Sequence, residues 1–200
     1  MLEEKRIKRI ANELKAHAPF TAFGAGTGIA IMGMLVWLET PSSVSNTTFH
    51  ILHPLHILFS AVVTTAIYRM HKGKNWAAPL IGFIGSVGIC SISDIAFPWL
   101  GAHLLGAEIE LHICFIEHPQ IIIPASFIGI VIGYWRPTTK FPHSGHVLLS
   151  TWASLFYLTA FGIAAWIPLL PFVFVLIFLA VWLPCCVSDI VFPLLFVKED

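Results

Sequence analysis

Six apolar segments, each long enough to cross a bilayer as a helix, make up most of this 200-residue chain. A membrane-spanning helix needs about 20 apolar residues. Only 11% of the residues are charged, whereas a soluble domain has roughly 25%. At 57% hydrophobic residues and a mean hydropathy of +0.84, lipid must be the solvent for most of the chain. We therefore predict an all-α integral membrane protein with six transmembrane helices, at residues 19–38, 51–70, 77–101, 119–135, 146–166 and 169–197.

The first 18 residues differ from these segments because apolar and charged side chains recur there at helical spacing. This pattern predicts an amphipathic helix over residues 1–18 that lies on the membrane surface. Its apolar positions are Leu2, Ile7, Ile10, Leu14 and Ala18.

All eleven basic residues fall on one side of the membrane when six spans are counted in this way. The loops at 39–50, 102–118 and 166–169 contain no Lys or Arg. The positive-inside rule then predicts a multi-pass protein of the cell membrane with its N-terminus and C-terminus in the cytoplasm. The outer loops are acidic, which raises the local cation concentration, although the exclusion of basic residues from outer loops explains this equally well. Their carboxylates are Glu39, Glu108, Glu110 and Glu117.

Two sequence motifs occur twice, in the same order. His53-Pro-Leu-His56-Ile-Leu-Phe-Ser60 opens the second span, and His143-Ser-Gly-His146-Val-Leu-Leu-Ser150 opens the fifth, 90 residues later. Cys90-Ser-Ile-Ser-Asp94-Ile-Ala-Phe-Pro98 in the third span recurs 95 residues later as Cys185-Cys-Val-Ser-Asp189-Ile-Val-Phe-Pro193 in the sixth. Each Phe-Pro pair predicts a kink.

Each copy contains three spans, so the second copy enters the membrane from the opposite side. This is the inverted-topology repeat of many secondary transporters. Repeat one is predicted at 19–104 and repeat two at 105–200, where a short interfacial helix over 107–117 precedes three inverted transmembrane helices.

The duplicated histidines and aspartates predict metal ligands. Residues three apart on a helix share a face, so a His-x-x-His pair presents two imidazoles to one ion, and an Asp adds an anionic oxygen. Such ligands suit Zn²⁺ or Fe²⁺, so a divalent metal ion is the predicted cofactor. The inverted arrangement predicts an outer cluster of His53, His56, Asp94 and His118, and an inner cluster of His143, His146, Asp189 and His17. His50, three residues before His53, extends the outer stripe.

Each of these residues also has a structural explanation. Histidines at a membrane interface hydrogen-bond headgroups or carbonyls, and an intramembrane Asp can fix helix packing through a hydrogen bond. Cysteines inside apolar runs are usually inert. An intramembrane carboxylate is costly, however, and its repetition at matching positions favours a functional role.

Three functions remain open at this stage. The leading hypothesis is a divalent metal cation transporter that works as a homodimer in the lipid bilayer. The second is a membrane metalloenzyme, a hydrolase or oxidoreductase, with a zinc or iron bound by His and Asp. The third is a metal-free proton relay or structural membrane subunit. The net charge of zero argues against a nucleic-acid partner.

Overall fold

The computed structural model describes residues 2–71, 73–136, 140–163 and 166–197. Within these ranges, the description leaves out the side chains of residues 2–10, 13, 16, 140–144, 163, 186, 189 and 190.

The described chain is almost entirely helical, as predicted, and contains six long helical segments. The first, second, fourth and fifth are α1 (Leu2–Trp37), α2 (Ser42–Met70), α6 (Pro119–Trp135) and α7 (Lys140–Phe161). The third consists of α3 (Ala78–Phe83), π-helical turns at Ile84–Ile89 and Ile92–Ala96, and α4 (Phe97–Leu104). The sixth consists of a 3₁₀ turn (Ile167–Leu169), α8 (Leu170–Cys186), a π-helical turn (Val187–Val191) and α9 (Phe192–Leu195). The short elements are α5 (Cys114–Glu117) and an antiparallel pair of strands, β1 (Glu108–Ile109) and β2 (Gly162–Ile163).

Among the described residues, four helices are long and apolar enough to cross a membrane, judged by length and composition. They are His17–Trp37, Ser42–Met70, Ala78–Leu104 and Ile167–Cys185. The 17-residue α6 is apolar but shorter. The predicted span at 146–166 coincides largely with α7, which is not among the four. Ser150, Thr151 and Ser154 of α7 are buried, so this helix presents polar groups to the interior.

The structure differs from the sequence prediction at three helix boundaries. A single helix, α1, covers both the predicted surface helix and the first span. The second helix begins at Ser42, nine residues before the predicted start, which places His56 at its middle. The helix predicted over 107–117 is replaced by β1 and the four-residue α5: Gly106 adopts a positive φ of 74°, which ends α4, and Glu108 then pairs with Ile163.

The second helix is the centre of the bundle. Within its most apolar stretch 67% of the residues are buried, against 28% for the span in α1. It packs against α7 on one side and α6 on another. A central helix surrounded by others can hold polar side chains away from lipid, so α2 is suited to carry the site.

Close approach of α6 to α2 depends on two glycines. A Cβ at Gly129 would overlap the carbonyl oxygen of Leu58, and one at Gly133 would overlap that of Val62. Small residues allow this kind of backbone contact in membrane helices.

We therefore expect Gly129→Ala to destabilise the protein by about 1–3 kcal/mol, because overpacking forces the two backbones apart. Thermal unfolding in detergent measures this effect. Gly26→Ala in α1 is the matched control, since a Cβ there meets nothing within 4 Å. Equal unfolding temperatures for the two variants would contradict the close packing of α6 on α2.

The two repeated Cys-to-Pro motifs adopt the same irregular backbone. Ile92–Ala96 and Val187–Val191 are both π-helical, and they are separated by the same 95 residues as the motifs. Proline has no N–H and clashes with the carbonyl four residues earlier, so each Pro disturbs the regular helix. In the first copy the N–H of Phe97, next to Pro98, bonds to the carbonyl of Ile92, five residues earlier. π-Helical turns are frequent at functional sites, and the first of these two contains Asp94.

Candidate metal centre

His53 and His56 lie on one face of α2, and both imidazoles contact a single carboxylate. Their Nδ1 atoms lie 2.8 Å and 2.7 Å from Oδ2 of Asp94. All three side chains are completely buried. An ionised carboxylate can only accept hydrogen bonds, so each imidazole donates its Nδ1–H to Asp94.

The other oxygen of Asp94 is occupied as well. The hydroxyl of Ser150, on α7, donates to Oδ1 over 2.7 Å, and the hydroxyl of Ser93 lies 2.9 Å from the same atom. The two N···O distances to Oδ2 are hydrogen-bond lengths, whereas two ligands of one tetrahedral Zn²⁺ lie about 3.3 Å apart. In this conformation Asp94 therefore orients the two imidazoles, as carboxylates behind metal-bound histidines do. His53, His56 and Asp94 also form a group whose ligand atoms lie within 4.8 Å of one another, so the direct ligand predicted at Asp94 stays a prediction.

The bonds to Asp94 leave Nε2 of each imidazole as a lone-pair nitrogen. Nε2 of His53 is buried and has no hydrogen-bond partner in the described part of the chain. The ring of Phe49 stacks on the same imidazole, with centroids 5.3 Å apart. Leaving a buried acceptor without a partner costs about 1–3 kcal/mol, which makes a structural role for this atom a poor explanation.

Nε2 of His56 faces cysteines from both sequence motifs. Sγ of Cys90 lies 3.5 Å away and Sγ of Cys185 lies 4.0 Å away. The ring of His146 lies beside that of His56, with centroids 5.4 Å apart. The nearest ligand atoms of His56, His146 and Cys185 are all within 4.8 Å of one another.

These buried residues could hold a metal ion. We call them the central cluster: His53, His56, Cys90, Asp94, His146 and Cys185. Within this cluster, the imidazoles of His56 and His146 and the thiol of Cys185 bring three donor atoms together, and imidazole and thiolate ligands suit tetrahedral Zn²⁺ or Cu⁺. His56, Cys90, His146 and Cys185 line a pocket that has no room for a water molecule in this conformation.

Hydrogen bonds beside the central cluster repeat between the two motif copies. The hydroxyl oxygens of Ser150 and Ser93 lie 3.4 Å apart, and those of the equivalent residues Ser60 and Ser188 lie 3.3 Å apart. Ser154 donates to the carbonyl of Ser93 over 3.2 Å, and its equivalent, Thr64, donates to the carbonyl of Ser188 over 3.3 Å. Each pair joins a residue of one copy to a residue of the other, so the same contacts are made in both directions.

A second group of histidines brings together residues that are distant in the sequence. Nε2 of His50 and Nε2 of His112 are 3.0 Å apart. The ring of His118 lies 4.8 Å from that of His50 and 5.5 Å from that of His112, centroid to centroid. We call this group the three-histidine cluster; its nearest ligand atoms are also within 4.8 Å of one another.

Two titratable groups beside the three-histidine cluster have shifted pKa values. Burial lowers the pKa of His112 below its ordinary value, against the opposing effect of the Glu117 carboxylate. Burial also raises the pKa of the Cys114 thiol to about 12, with a further contribution from Glu117. Cys114 therefore stays protonated at neutral pH and is a poor metal ligand, since the thiolate is the form that ligates.

The predicted site residues are distributed differently from the two clusters inferred from sequence. His146, predicted on the inner side, lies next to His56, predicted on the outer side. His118 lies with His50 and His112. His17 is buried in α1, but its ring belongs to none of the three ligand groups found among the described residues. The side chains of His143 and Asp189 lie outside the description.

Sequence reasoning missed Ser150 and His112 as parts of these groups. Ser150 was recognisable only as the last residue of a repeated motif, and His112 lies in the segment that was predicted to be a short interfacial helix.

Comparisons of the chain with protein-family models, curated proteins and solved structures found no match. Function is therefore inferred from the geometry of the site alone.

Proposed function

We propose that this protein is a transporter for a divalent metal cation, with Zn²⁺ as the best-fitting ion, and that the central cluster is its binding site. The observation that carries the proposal is that both motif copies contribute to one buried site. The first supplies His56 and Cys90, and the second supplies His146 and Cys185.

The position of the central cluster is the one that a transporter requires. Inverted-repeat transporters bind their substrate at the interface of the repeats, near the bilayer midplane, where helices are interrupted. His56 is at the middle of α2, and Asp94 lies in a π-helical interruption. Two repeats of three helices in opposite orientations account for the pairs Ser150–Ser93 and Ser60–Ser188, because each copy then contacts the other in the same way.

The two ends of the bundle differ in their content of Lys and Arg, as the positive-inside rule predicts. At one end, His50 contacts His112 and β1 pairs with β2, which brings together the segments without basic residues. At the other, Arg69 bonds to Asn75 and lies over the ring of Tyr134. We place the first end outside the cell and both termini in the cytoplasm. Assembly as a homodimer remains a prediction.

The residues of the central cluster have separate roles in this proposal. Asp94 fixes the tautomers of His53 and His56, which presents both Nε2 lone pairs for binding. The thiols supply anionic sulfur once they release their protons, which would offset the charge of the ion. Movement of one repeat against the other would then open the site to each side in turn.

One shared site predicts a particular stoichiometry of bound metal. His56→Ala and His146→Ala should each remove the same single equivalent of Zn²⁺, and the double variant should lose no more than either single variant. Elemental mass spectrometry of the purified protein, kept reduced, measures this. His71→Ala, at the end of α2, is the control that should bind as the wild type does.

Two independent sites would instead make the losses additive, and that result would reject a shared centre. Wild-type protein that binds Zn²⁺ but carries no Zn²⁺ flux in liposomes would favour the membrane metalloenzyme over the transporter.

A further inference from the structure

The three-histidine cluster is built from the end of the bundle that lacks basic residues. His50 lies on α2, one turn before His53, while His112 and His118 flank α5. Unlike the central cluster it is within reach of solvent, since His50 and His118 are partly exposed. Its distinctive feature is the pairing of two Nε2 atoms.

Hydrogen bonds determine which nitrogen carries the proton in two of these rings. Nδ1 of His50 lies 2.8 Å from the carbonyl oxygen of Asn46, and Nδ1 of His112 lies 2.9 Å from Oε2 of Glu117. A carbonyl and a carboxylate only accept, so both Nδ1 atoms carry the hydrogen. In the neutral rings, both Nε2 atoms then hold lone pairs.

Two lone pairs 3.0 Å apart repel unless a proton or a metal cation lies between them. The separation is close to the roughly 3.3 Å between two nitrogen ligands of a tetrahedral Zn²⁺. A backbone carbonyl behind one imidazole and a carboxylate behind another is also the usual outer shell of a zinc site. His118 provides the third nitrogen.

We propose that His50, His112 and His118 bind a second Zn²⁺ ion, at the outer face of the membrane, and that this ion is the one next delivered to the central cluster. Three imidazoles leave the fourth coordination position to water. An incoming hydrated ion thus loses only part of its water at this first site. The delivery role rests on the proposed transport function, whereas the metal site itself does not.

A row of imidazoles connects the two sites. His50, His53 and His56 follow one another at intervals of three residues on α2, so neighbours in the row share a face. His53 comes between the other two in this row, and its buried Nε2 atom has no hydrogen-bond partner among the described residues. Phe49 contacts both His50 and His53, with ring centroids 5.3 Å apart in each case.

The charges near the three-histidine cluster favour an arriving cation. Glu108, Glu110 and Glu117 are exposed, and residues 102–118 contain no Lys or Arg. A surface of one sign raises the local concentration of the opposite ion.

Cobalt substitution separates the two sites spectroscopically. Co²⁺ bound by thiolates gives a sulfur-to-metal charge-transfer band, whereas Co²⁺ bound by imidazoles alone gives none. We expect the reduced wild-type protein in detergent to bind two equivalents of Co²⁺ or Zn²⁺. His112→Gln should bind one equivalent and keep the band, and the double variant Cys90→Ser/Cys185→Ser should lose the band while it retains the ion at the three-histidine cluster.

His118→Gln is a second variant with the same expected result as His112→Gln, and His103→Gln, an exposed histidine at the end of α4, is the control. Elution as a single species in size-exclusion chromatography verifies folding. One equivalent in the wild type, with the band, and no change in His112→Gln would overturn this inference and leave the proposed function intact. One equivalent without the band, lost in His112→Gln, would uphold the three-histidine site and reject the central one.

Flux through reconstituted liposomes tests the delivery role. His112→Gln should raise the Zn²⁺ concentration for half-maximal uptake by about tenfold or more and leave the maximal rate within about twofold of the wild type. A lower maximal rate with an unchanged half-maximal concentration would overturn delivery through this site.

Discussion

Asp94→Asn is expected to cause the largest loss of stability of any single substitution in the bundle. The carboxylate accepts from two imidazoles at one oxygen, and hydroxyl groups occupy the other. An amide replaces one of these acceptors with an NH₂ group, which would meet an N–H or O–H donor. Disrupting a buried charged network of this kind costs about 3–5 kcal/mol, and chemical or thermal unfolding in detergent measures the change.

The same substitution should weaken metal binding even where the protein remains folded. Without the carboxylate, nothing fixes the tautomers of His53 and His56, and loss of such an outer-shell partner typically lowers metal affinity by about 10–100-fold. Glu108→Gln, the same change of charge at an exposed position, is the control. Wild-type stability and affinity in Asp94→Asn would show that Asp94 neither supports the fold nor orients the histidines.

His56→Ala is expected to have the largest effect on transport. His56 is the residue at which the bonds to Asp94 and the contacts with Cys90 and His146 meet. Removal of its imidazole takes away one proposed ligand of the central cluster, and it also removes the side chain that contacts Asp94, Cys90 and His146. Uptake of Zn²⁺ into liposomes should fall at least about 100-fold, the upper end of the effects seen when a metal ligand's support is lost.

Three controls show whether a loss of uptake is specific to the central cluster. His71→Ala, on the same helix, should transport normally, and His56→Ala should remain folded by size-exclusion chromatography. Liposomes without protein define the background leak. If His56→Ala transports at the wild-type rate, the central cluster is not on the transport path.

The long helices and the contact of Asp94 with the His-x-x-His pair follow from local patterns. Apolar runs predict helices in lipid, and spacing of three residues puts His53 and His56 on one face. The pair was predicted at the start of its helix because the polar residues 42–48 resemble a loop. In the structure they belong to α2: Thr47 and Thr48 donate their hydroxyl protons to the carbonyls of Ser43 and Val44, four residues earlier. A hydroxyl satisfied by its own helix does not mark a helix end.

The remaining parts of the candidate sites depend on tertiary contacts that have no local signal. The approach of His146 to His56 follows from how α7 packs on α2, which the motifs do not encode. His112 joins His50 only because β1 pairs with β2 and brings the intervening segment over the end of the bundle. Ser150 is one of many serines in apolar runs until the fold places it 2.7 Å from Asp94.

The serine and threonine contacts between the two motif copies bear on the free energies of the conformations that the protein can adopt. Ser150 with Ser93 and Ser60 with Ser188 are the same contact made twice, and so are the bonds from Ser154 and Thr64 to the facing carbonyls. If the two halves exchanged their conformations, the same set of bonds would be present before and after the exchange. In the proposed transport cycle these bonds would then favour neither state, so a ligand with a modest difference in affinity between the two states would be enough to shift the protein from one to the other.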